Sequence, residues 1–547
     1  MRPRTPSVRA TVEAVFSMDK FYLTTAIIYV NALPHVGHAL EMIGTDALAR
    51  YKRLTGYDVY FLTGTDENSL NAERRSRELG LPPQQYVNQM ADTIQSVWRK
   101  LNISNDGFVR TTAERHVATC QAFFERVRAN GDIYKGTYEG WYCTSCEAFR
   151  AEEELVDGCC PYHPGKKVEW LHEENYFFRL SRYQEPLLRH IEAHPEFIEP
   201  EIRRNEIVNF IKSGLQDFSV SRSSMRWGIP VPGDPSQVIY VWFDALLNYI
   251  TGVGYADDPA MFARYWPADL HVVGKDITRF HAIYWPAMLM SAGVALPKRV
   301  FGHGFVYQKG ERMSKSLGNV VEPGAIADEF GPDPLRYYLL REVPFDRDGD
   351  FAWPTFVQRY NADLGNDLGN LLNRTLSMIN RYFGGQVPEP QRADWETNFG
   401  DRSLIELSGQ TVAAMEQHFN ALDFDEALVA IWQFVGRANK YVEENAPWTL
   451  NKTDRARLGT VLYDLAESLR LIAHFVWPVI PTTAERMAEQ LAVPLEVRGN
   501  WPEVSAWGRL APGTRVTPQP VPLFPRIVPA SADKYWRGDI DEEGKRV

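Results

Sequence analysis

A short apolar run that stops at a turn and hands over to a helix-patterned stretch is the feature that most narrows the folds open to this chain. Phe21 to Ile28 is rich in β-forming residues, Asn31 to Pro34 reads as a turn, and His35 to Leu54 carries helical periodicity. A strand followed at once by a helix opens a parallel α/β sheet, because the chain needs a crossover to reach the start of a parallel neighbour. Val59 to Leu62, after the Gly56 turn, reads as a second buried strand, and helical spacing then dominates to about Asn130. Residues 131 to about 235 break the rhythm with Gly, Cys, aromatic and short strand-like segments, as an insertion would. The pattern returns at Val238 to Trp242 and Leu270 to Val273, two expected strands each followed by a helix, so the sheet is expected to be split and to resume.

From Tyr360 to about Gln490 turn residues thin out and apolar residues recur at helical spacing (Leu364, Leu368, Leu371, Leu372; Leu462, Leu465, Leu469, Ile472), which predicts an all-helical bundle. Beyond Trp501 the prolines Pro512, Pro518, Pro520, Pro522, Pro525 and Pro529 predict an extended wrap or tail. At 547 residues the chain exceeds the ~250 to 300 at which one core stops growing, so several domains are expected. The fold class is α/β, a Rossmann-type parallel sheet split by a connective insertion and followed by an all-α bundle. The expected units are an N-terminal extension over 1–19, sheet halves at 20–130 and 236–300 around the insertion at 131–235, a basic-loop region at 301–358, the bundle at 359–505 and a tail at 506–547.

The net charge of -11 argues against a general nucleic-acid coat and leaves a local RNA contact open. No stretch approaches the ~20 apolar residues of a membrane span. Residues 1 to 17 carry Arg2, Arg4 and Arg9 without the apolar core of a signal peptide, which predicts a disordered extension, with an organelle transit peptide as the alternative. Of five cysteines, four lie between Cys143 and Cys160, a pattern of metal binding in a reducing compartment, and a cytoplasmic location is expected. The spacing Cys143-x2-Cys146 and, further on, Cys160-x2-His163 offers three thiolates and an imidazole, which suits one closed, structural zinc ion; Cys159 could stand in for Cys160. Cys120 reads as a buried core thiol.

Two segments carry phosphate chemistry. In Pro34-His35-Val36-Gly37-His38 a strand gives way to a helix start, whose free N–H groups and positive dipole end attract phosphates; Gly37 opens the approach and two imidazoles add donors. Far downstream, Glu311-Arg312-Met313-Ser314-Lys315-Ser316-Leu317-Gly318-Asn319 sets two cations in a Gly-bounded loop that can close over a triphosphate. Either alone is weak; together, with sheet strands between them, they predict one ATP site.

These motifs resemble the two signatures of class I aminoacyl-tRNA synthetases, and the chain from Phe21 to Trp501 is similar to the methionyl-tRNA synthetase family. Tyr240-Val241-Trp242-Phe243-Asp244-Ala245, Gly274-Lys275-Asp276-Ile277 with Phe280, His281, Trp285 and Pro286, and Leu215 through Arg222 to Pro230 carry the likeness. The resemblance implies methionine-dependent adenylate formation from Mg-ATP and transfer to tRNA(Met), with His35, His38, Arg312 and Lys315 catalytic, and Gly37, Glu41, Gly274 and Asp276 on the ATP side. It implies a methionine pocket of Ala26, Ile27, Tyr29, Trp242, Ala245, Leu246, Tyr249, Ile277, His281 and Trp285, apolar and aromatic as a thioether requires, with Asp66 holding the ammonium. On residues alone, Asp276 could equally be a helix N-cap. The knuckle text favours Cys160 over Cys159. Asn370 and Arg374, four apart on one helix face, and Trp448, a stacking plane, match the family's anticodon readers; without the likeness Trp448 would read as core and Arg374 as a solvated charge. The region 301–358 becomes a stem-contact unit.

The match departs in three places. Arg312 stands where the family usually has lysine, Asn68-Ser69 where relatives often have His-Gly, and the chain ends soon after the bundle, from which a monomer is expected. A synthetase for another aliphatic amino acid would need an editing domain larger than the 131–235 insertion. A catalytically silent, RNA-binding paralogue is motivated by Asn68, Ser69 and Arg312 and opposed by His35, His38, Lys315 and Asp66.

Overall fold

Strand β1 (Lys20–Thr25) and the short β2 (Ile28–Tyr29) lead through a turn into helix α1 (Val36–Leu54), as the sequence predicts. The computed structural model describes residues 19–143, 148–150, 152–162, 165–223, 225–313, 319–498 and 500–527. The second strand, β3 (Asp58–Asp66), runs to Asp66, beyond the Leu62 expected from the apolar run. After β4 (Gly107–Arg110) and α2 (Glu114–Ala129), the chain forms a long antiparallel ribbon of β5 (Ile133–Cys143) and β6 (Glu169–Phe178), paired from Ile133 opposite Phe178 to Tyr142 opposite Glu169.

The 131–235 stretch also returns a strand to the main sheet: β7 (Ile198–Glu199) forms its edge. The sequence places a sheet strand at Val238 to Trp242, and this is corrected. Asp234–Ile239 is a strand, but of a separate three-stranded antiparallel sheet, and Val241–Leu246 is helix α3, buried at every position. A continuous apolar run shows neither a two-residue nor a 3.6-residue period, so burial on all sides hid its type.

With β8 (Leu270–Gly274) and β9 (Val300–His303), the main sheet has seven strands, ordered β2-β3-β1-β8-β9-β7 with β4 also on β3, and every pairing is parallel. Strand β1 sits at the reversal of strand order, with β3 reached directly through α1 on one side and β8, more than two hundred positions on, at the other. Ligands of such sheets bind outside the strand C-termini at this switch point.

The bundle comprises α4 (Asn370–Phe383), α5 (Phe399–Ala421), α6 (Phe424–Asn445), the short α7 (Pro447–Thr453), α8 (Arg455–Val476) and α9 (Pro481–Leu491). Every residue of α8 from Leu458 on is buried, which makes it the central helix. The proline-rich segment wraps the bundle: Val387 N–H donates to Thr514 O at 2.9 Å, and Leu510, Val516 and Leu523 are buried. A buried charge cluster locks bundle to sheet layer. Arg336 donates to Asp46 on α1 at 2.7 Å and to the Val479 and Pro478 carbonyls at 2.6 and 3.1 Å. Burial alone would raise the Asp46 pKa, but the Arg50 and Arg336 guanidiniums hold it below the usual carboxylate range. No helix among the described residues is long and apolar enough to cross a membrane.

Candidate active site

At the C-terminal ends of β1 and β8 lies a cavity of about 1000 Å3, and both segments expected to bind phosphate reach it: His35, Gly37 and His38 at the start of α1, Arg312 from the strand Glu311–Arg312. Lys315 and its neighbours lie outside the described residues.

The two histidines cap α1 reciprocally. His35 Nδ1 accepts from the Gly37 N–H at 3.1 Å and His38 Nδ1 accepts from the His35 N–H at 3.2 Å. With both Nδ1 atoms used as acceptors, each neutral ring carries its proton on Nε2, as a donor. Burial keeps both neutral: it lowers the His35 pKa to about 4 and drives that of His38 well below its ordinary value, with His35 and His303 adding to the latter. Gly37 is also required locally, since a Cβ there would stand 2.8 Å from the His35 ring. Arg312 stacks its guanidinium over Phe305 at 4.3 Å and donates to the Tyr162 carbonyl at 3.4 Å.

Glu41 and His303 form the floor. Glu41 Oε1 accepts from the Ala26 N–H at 2.9 Å and its Oε2 lies 2.8 Å from His303 Nε2. His303 was missed in the sequence; its signal is a His-Gly step at a strand end. Gly274 and Asp276 border the cavity, and a Cβ on Gly274 would meet the Asp276 carboxylate at 2.8 Å. Asp276 lies two residues ahead of the helix that starts at Thr278, and no N–H of that helix donates to its carboxylate among the described residues.

The remaining expected pocket residues gather on the adjoining wall: Ala26, Ile27, Tyr29, Asp66, Trp242, Ala245, Leu246, Tyr249, Ile277 and His281 all line the cavity. Phe280, also missed, stacks on Trp242 with ring centroids 3.6 Å apart and planes 2° from parallel. The buried Trp242 indole N–H has no hydrogen-bond partner among the described residues, so this apolar wall holds one donor in reserve. His281 donates through Nδ1 to the Ile277 carbonyl at 3.0 Å, which leaves Nε2 to accept from the Tyr249 hydroxyl at 2.6 Å; burial lowers its pKa to about 4. Trp285 is the exception among the expected residues. Fully buried, it donates to His271 Nε2 at 3.3 Å and supports the wall from behind.

The departures Asn68 and Ser69 are structural supports. Asn68 donates to the Thr111 carbonyl at 2.9 Å and to Asp244 Oδ2 at 2.8 Å, and Ser69 caps the helix Leu70–Glu78. Asp244 lies between Trp242 and Ala245 on α3 and meets His116 Nε2 at 2.6 Å, with Cys120 Sγ 3.2 Å from that nitrogen. Cys120 is thus buried, as expected, but within a polar cluster; burial and Asp244 push its pKa well up. His116, Cys120 and Asp244 are the one three-residue group among the described residues with metal-compatible spacing, yet hydrogen bonds already engage all three.

In the expected knuckle, Cys143 and Cys160 are buried together with Val168 against Trp141 and Leu155. Cys159 is partly exposed, its thiol directed to the Asp157 carbonyl at 3.8 Å, and no cysteine is in a disulfide among those described. Cys146 and His163 lie outside the described residues. On the bundle, Asn370 and Arg374 share the exposed face of α4, Arg374 pairs with Glu443 at 2.6 Å, and Trp448 is 47% exposed, which removes the core reading.

The family model of class I tRNA synthetases (M) matches residues 21–169 and 163–376, and that of the anticodon binding domain of methionyl tRNA ligase matches 387–538. A methionine–tRNA ligase of Caldanaerobacter subterraneus subsp. tengcongensis is 51% identical over 510 residues, covering 93% of this chain and 79% of the relative. That of Brucella suis biovar 1 is 49% identical over 520 residues, 94% of this chain and 99% of the relative. A solved Mycobacterium tuberculosis methionyl-tRNA synthetase in complex with methionyl-adenylate superposes with a TM-score of 0.89 at 46% identity, over 93% of this chain and 100% of that one.

Proposed function

The chain belongs to the methionyl-tRNA synthetase family of class I, and from that premise we propose that the cavity at the ends of β1 and β8 is its adenylate-forming site. The protein activates L-methionine with ATP, releasing pyrophosphate, and transfers the methionyl group to tRNA(Met). One observation carries the site assignment: His35, His38 and Arg312, so far apart in sequence, border a single cavity whose other wall is the aromatic set around Trp242.

A methionine carboxylate oxygen attacks the α-phosphorus as the bond to pyrophosphate breaks; the tRNA 3′-terminal hydroxyl then attacks the carbonyl carbon and AMP leaves. No side chain becomes covalently attached, so the residues act by positioning and charge. The Nε2–H groups of His35 and His38 donate to phosphate oxygens at the α1 N-terminus, and Arg312 and Lys315 offset charge on departing pyrophosphate. Gly274 and Asp276 take the ribose, and Glu41 with His303 closes the floor between. The methionine side chain lies against Trp242, Ala245, Leu246, Tyr249, Ile277 and His281, beside Ala26, Ile27 and Tyr29, and Asp66 faces its ammonium.

Cys143, Cys146, Cys160 and His163 would hold one zinc ion, a reading supported by the paired burial of Cys143 and Cys160 and the outward turn of Cys159. When bound, it fixes the fold of the knuckle. Asn370, Arg374 and Trp448 read the anticodon, the units follow the boundaries drawn from the sequence except that Ile198–Glu199 of the insertion joins the main sheet, and the protein works in the cytoplasm. The test is ATP–pyrophosphate exchange by purified protein against all twenty amino acids: methionine alone should support it, and exchange driven by another amino acid overturns the site assignment.

A further inference from the structure

We propose that Asn68 and Asp244 are positioning residues that fix the span of the methionine pocket, from its ammonium anchor to its side-chain wall, and so select side-chain length; the inference rests on the methionine-activating site above. Among the described residues neither of the two lines the cavity. Strand β3 ends at Asp66, which does, and Asn68 follows two residues on. Asp244 sits on α3 between Trp242 and Ala245, which line the cavity as well. Asn68 Nδ2 donates to Asp244 Oδ2 at 2.8 Å, and this bond joins the segment of the anchor to the helix of the wall, 176 positions apart in the chain.

Each end of the tie is clamped. On the anchor side Asn68 Nδ2 also donates to the Thr111 carbonyl at 2.9 Å, the Glu67 N–H donates to the Thr111 hydroxyl at 2.8 Å, and the Trp227 indole N–H donates to the Glu67 carbonyl at 2.7 Å. On the wall side Asp244 Oδ1 lies 2.6 Å from His116 Nε2, and the same ring is held at Nδ1 by Thr251 Oγ1 at 3.0 Å. Asn68, Thr111, His116, Asp244 and Thr251 are all buried. Water does not compete for such bonds, so a chain of them holds two elements at one separation. A thioether offers its pocket only a weak acceptor. Length is therefore read by where the wall stands relative to the ammonium, and one methylene in such a pocket is worth about 10- to 200-fold in discrimination.

The test is ATP–pyrophosphate exchange by Asn68→Leu, which keeps the volume and removes both donated bonds. The expected result is a KM for methionine raised about tenfold with the KM for ATP unmoved, and a preference for methionine over its S-ethyl analogue, one methylene longer, reduced about tenfold. Asn68→His keeps an N–H donor and should retain most of the methionine affinity and of the preference. Asn68→Ser, polar but too short for Asp244, should behave as the leucine variant and carries the test if that chain does not fold. An unmoved KM for methionine overturns the proposal, as does a rise shared equally with ATP, which marks general loosening. An unchanged preference over the S-ethyl analogue, or a histidine variant as impaired as the leucine one, overturns it too. Failure of the unaltered protein to support methionine-dependent exchange would instead count against the function itself, so the two failures are distinguishable.

Discussion

His303 Nε2 lies 2.8 Å from Glu41 Oε2, joining the end of β9 to the second turn of α1 across the cavity floor. Burial alone would lower the His303 pKa, but the Glu41 carboxylate raises it above the ordinary histidine value. Protonation of His303 is therefore retained until pH rises through that raised pKa. Glu41→Gln should move the alkaline fall in kcat/KM for exchange to lower pH and reduce activity at neutral pH by roughly 100-fold. An unmoved profile would make the pair a purely structural tie.

His35→Ala removes the proposed phosphate donor and the N-cap of α1 together. Methionine-dependent exchange should fall by about 100- to 1,000-fold, while tRNA binding, measured by filter retention, persists. Undiminished exchange would refute the role given to the cradle.

Trp448→Ala should leave exchange intact and raise the KM for tRNA(Met), since stacking one base is worth ~1 to 3 kcal/mol, roughly 5- to 150-fold. Equal loss of both half-reactions would mean that this exposed indole matters to folding.

One zinc per chain is expected by elemental analysis. Cys160→Ser should lose the metal and Cys159→Ser should keep it, because the first thiol is buried beside Cys143 and the second turns to the Asp157 carbonyl. The reverse pattern would exchange the two assignments.

His281 is buried and neutral, its pKa lowered to about 4. The unfolded chain takes up a proton below the ordinary value near 6.5 while the folded chain does not, so stability is lost as pH falls through that window. This site alone should cost about 2 kcal/mol by pH 5, read from urea unfolding at pH 7 and 5. His281→Gln should flatten that difference, and an equal loss in the variant would assign it to other groups.

The sequence alone determined the opening strand–helix unit, the parallel sheet, the bundle and the two segments proposed to hold phosphate, because each is a local pattern: a period, a cap or a spacing. It also supplied most of the pocket, though through family likeness, since no local rule separates Trp242 from core. What it could not show were relations between distant segments. The helical state of Val241–Leu246 follows from burial on every side, which erases periodicity. The edge strand at Ile198–Glu199 exists only by pairing with β9. Trp285 differs from Trp242 in facing His271 instead of the cavity, a choice made by packing. His303 gains its charge from Glu41, and Asn68 its purpose from Asp244, only when folding brings each pair within hydrogen-bond reach. Local sequence sets what each segment can become; which side chains face one another, and hence their protonation and their use, is set by tertiary contact.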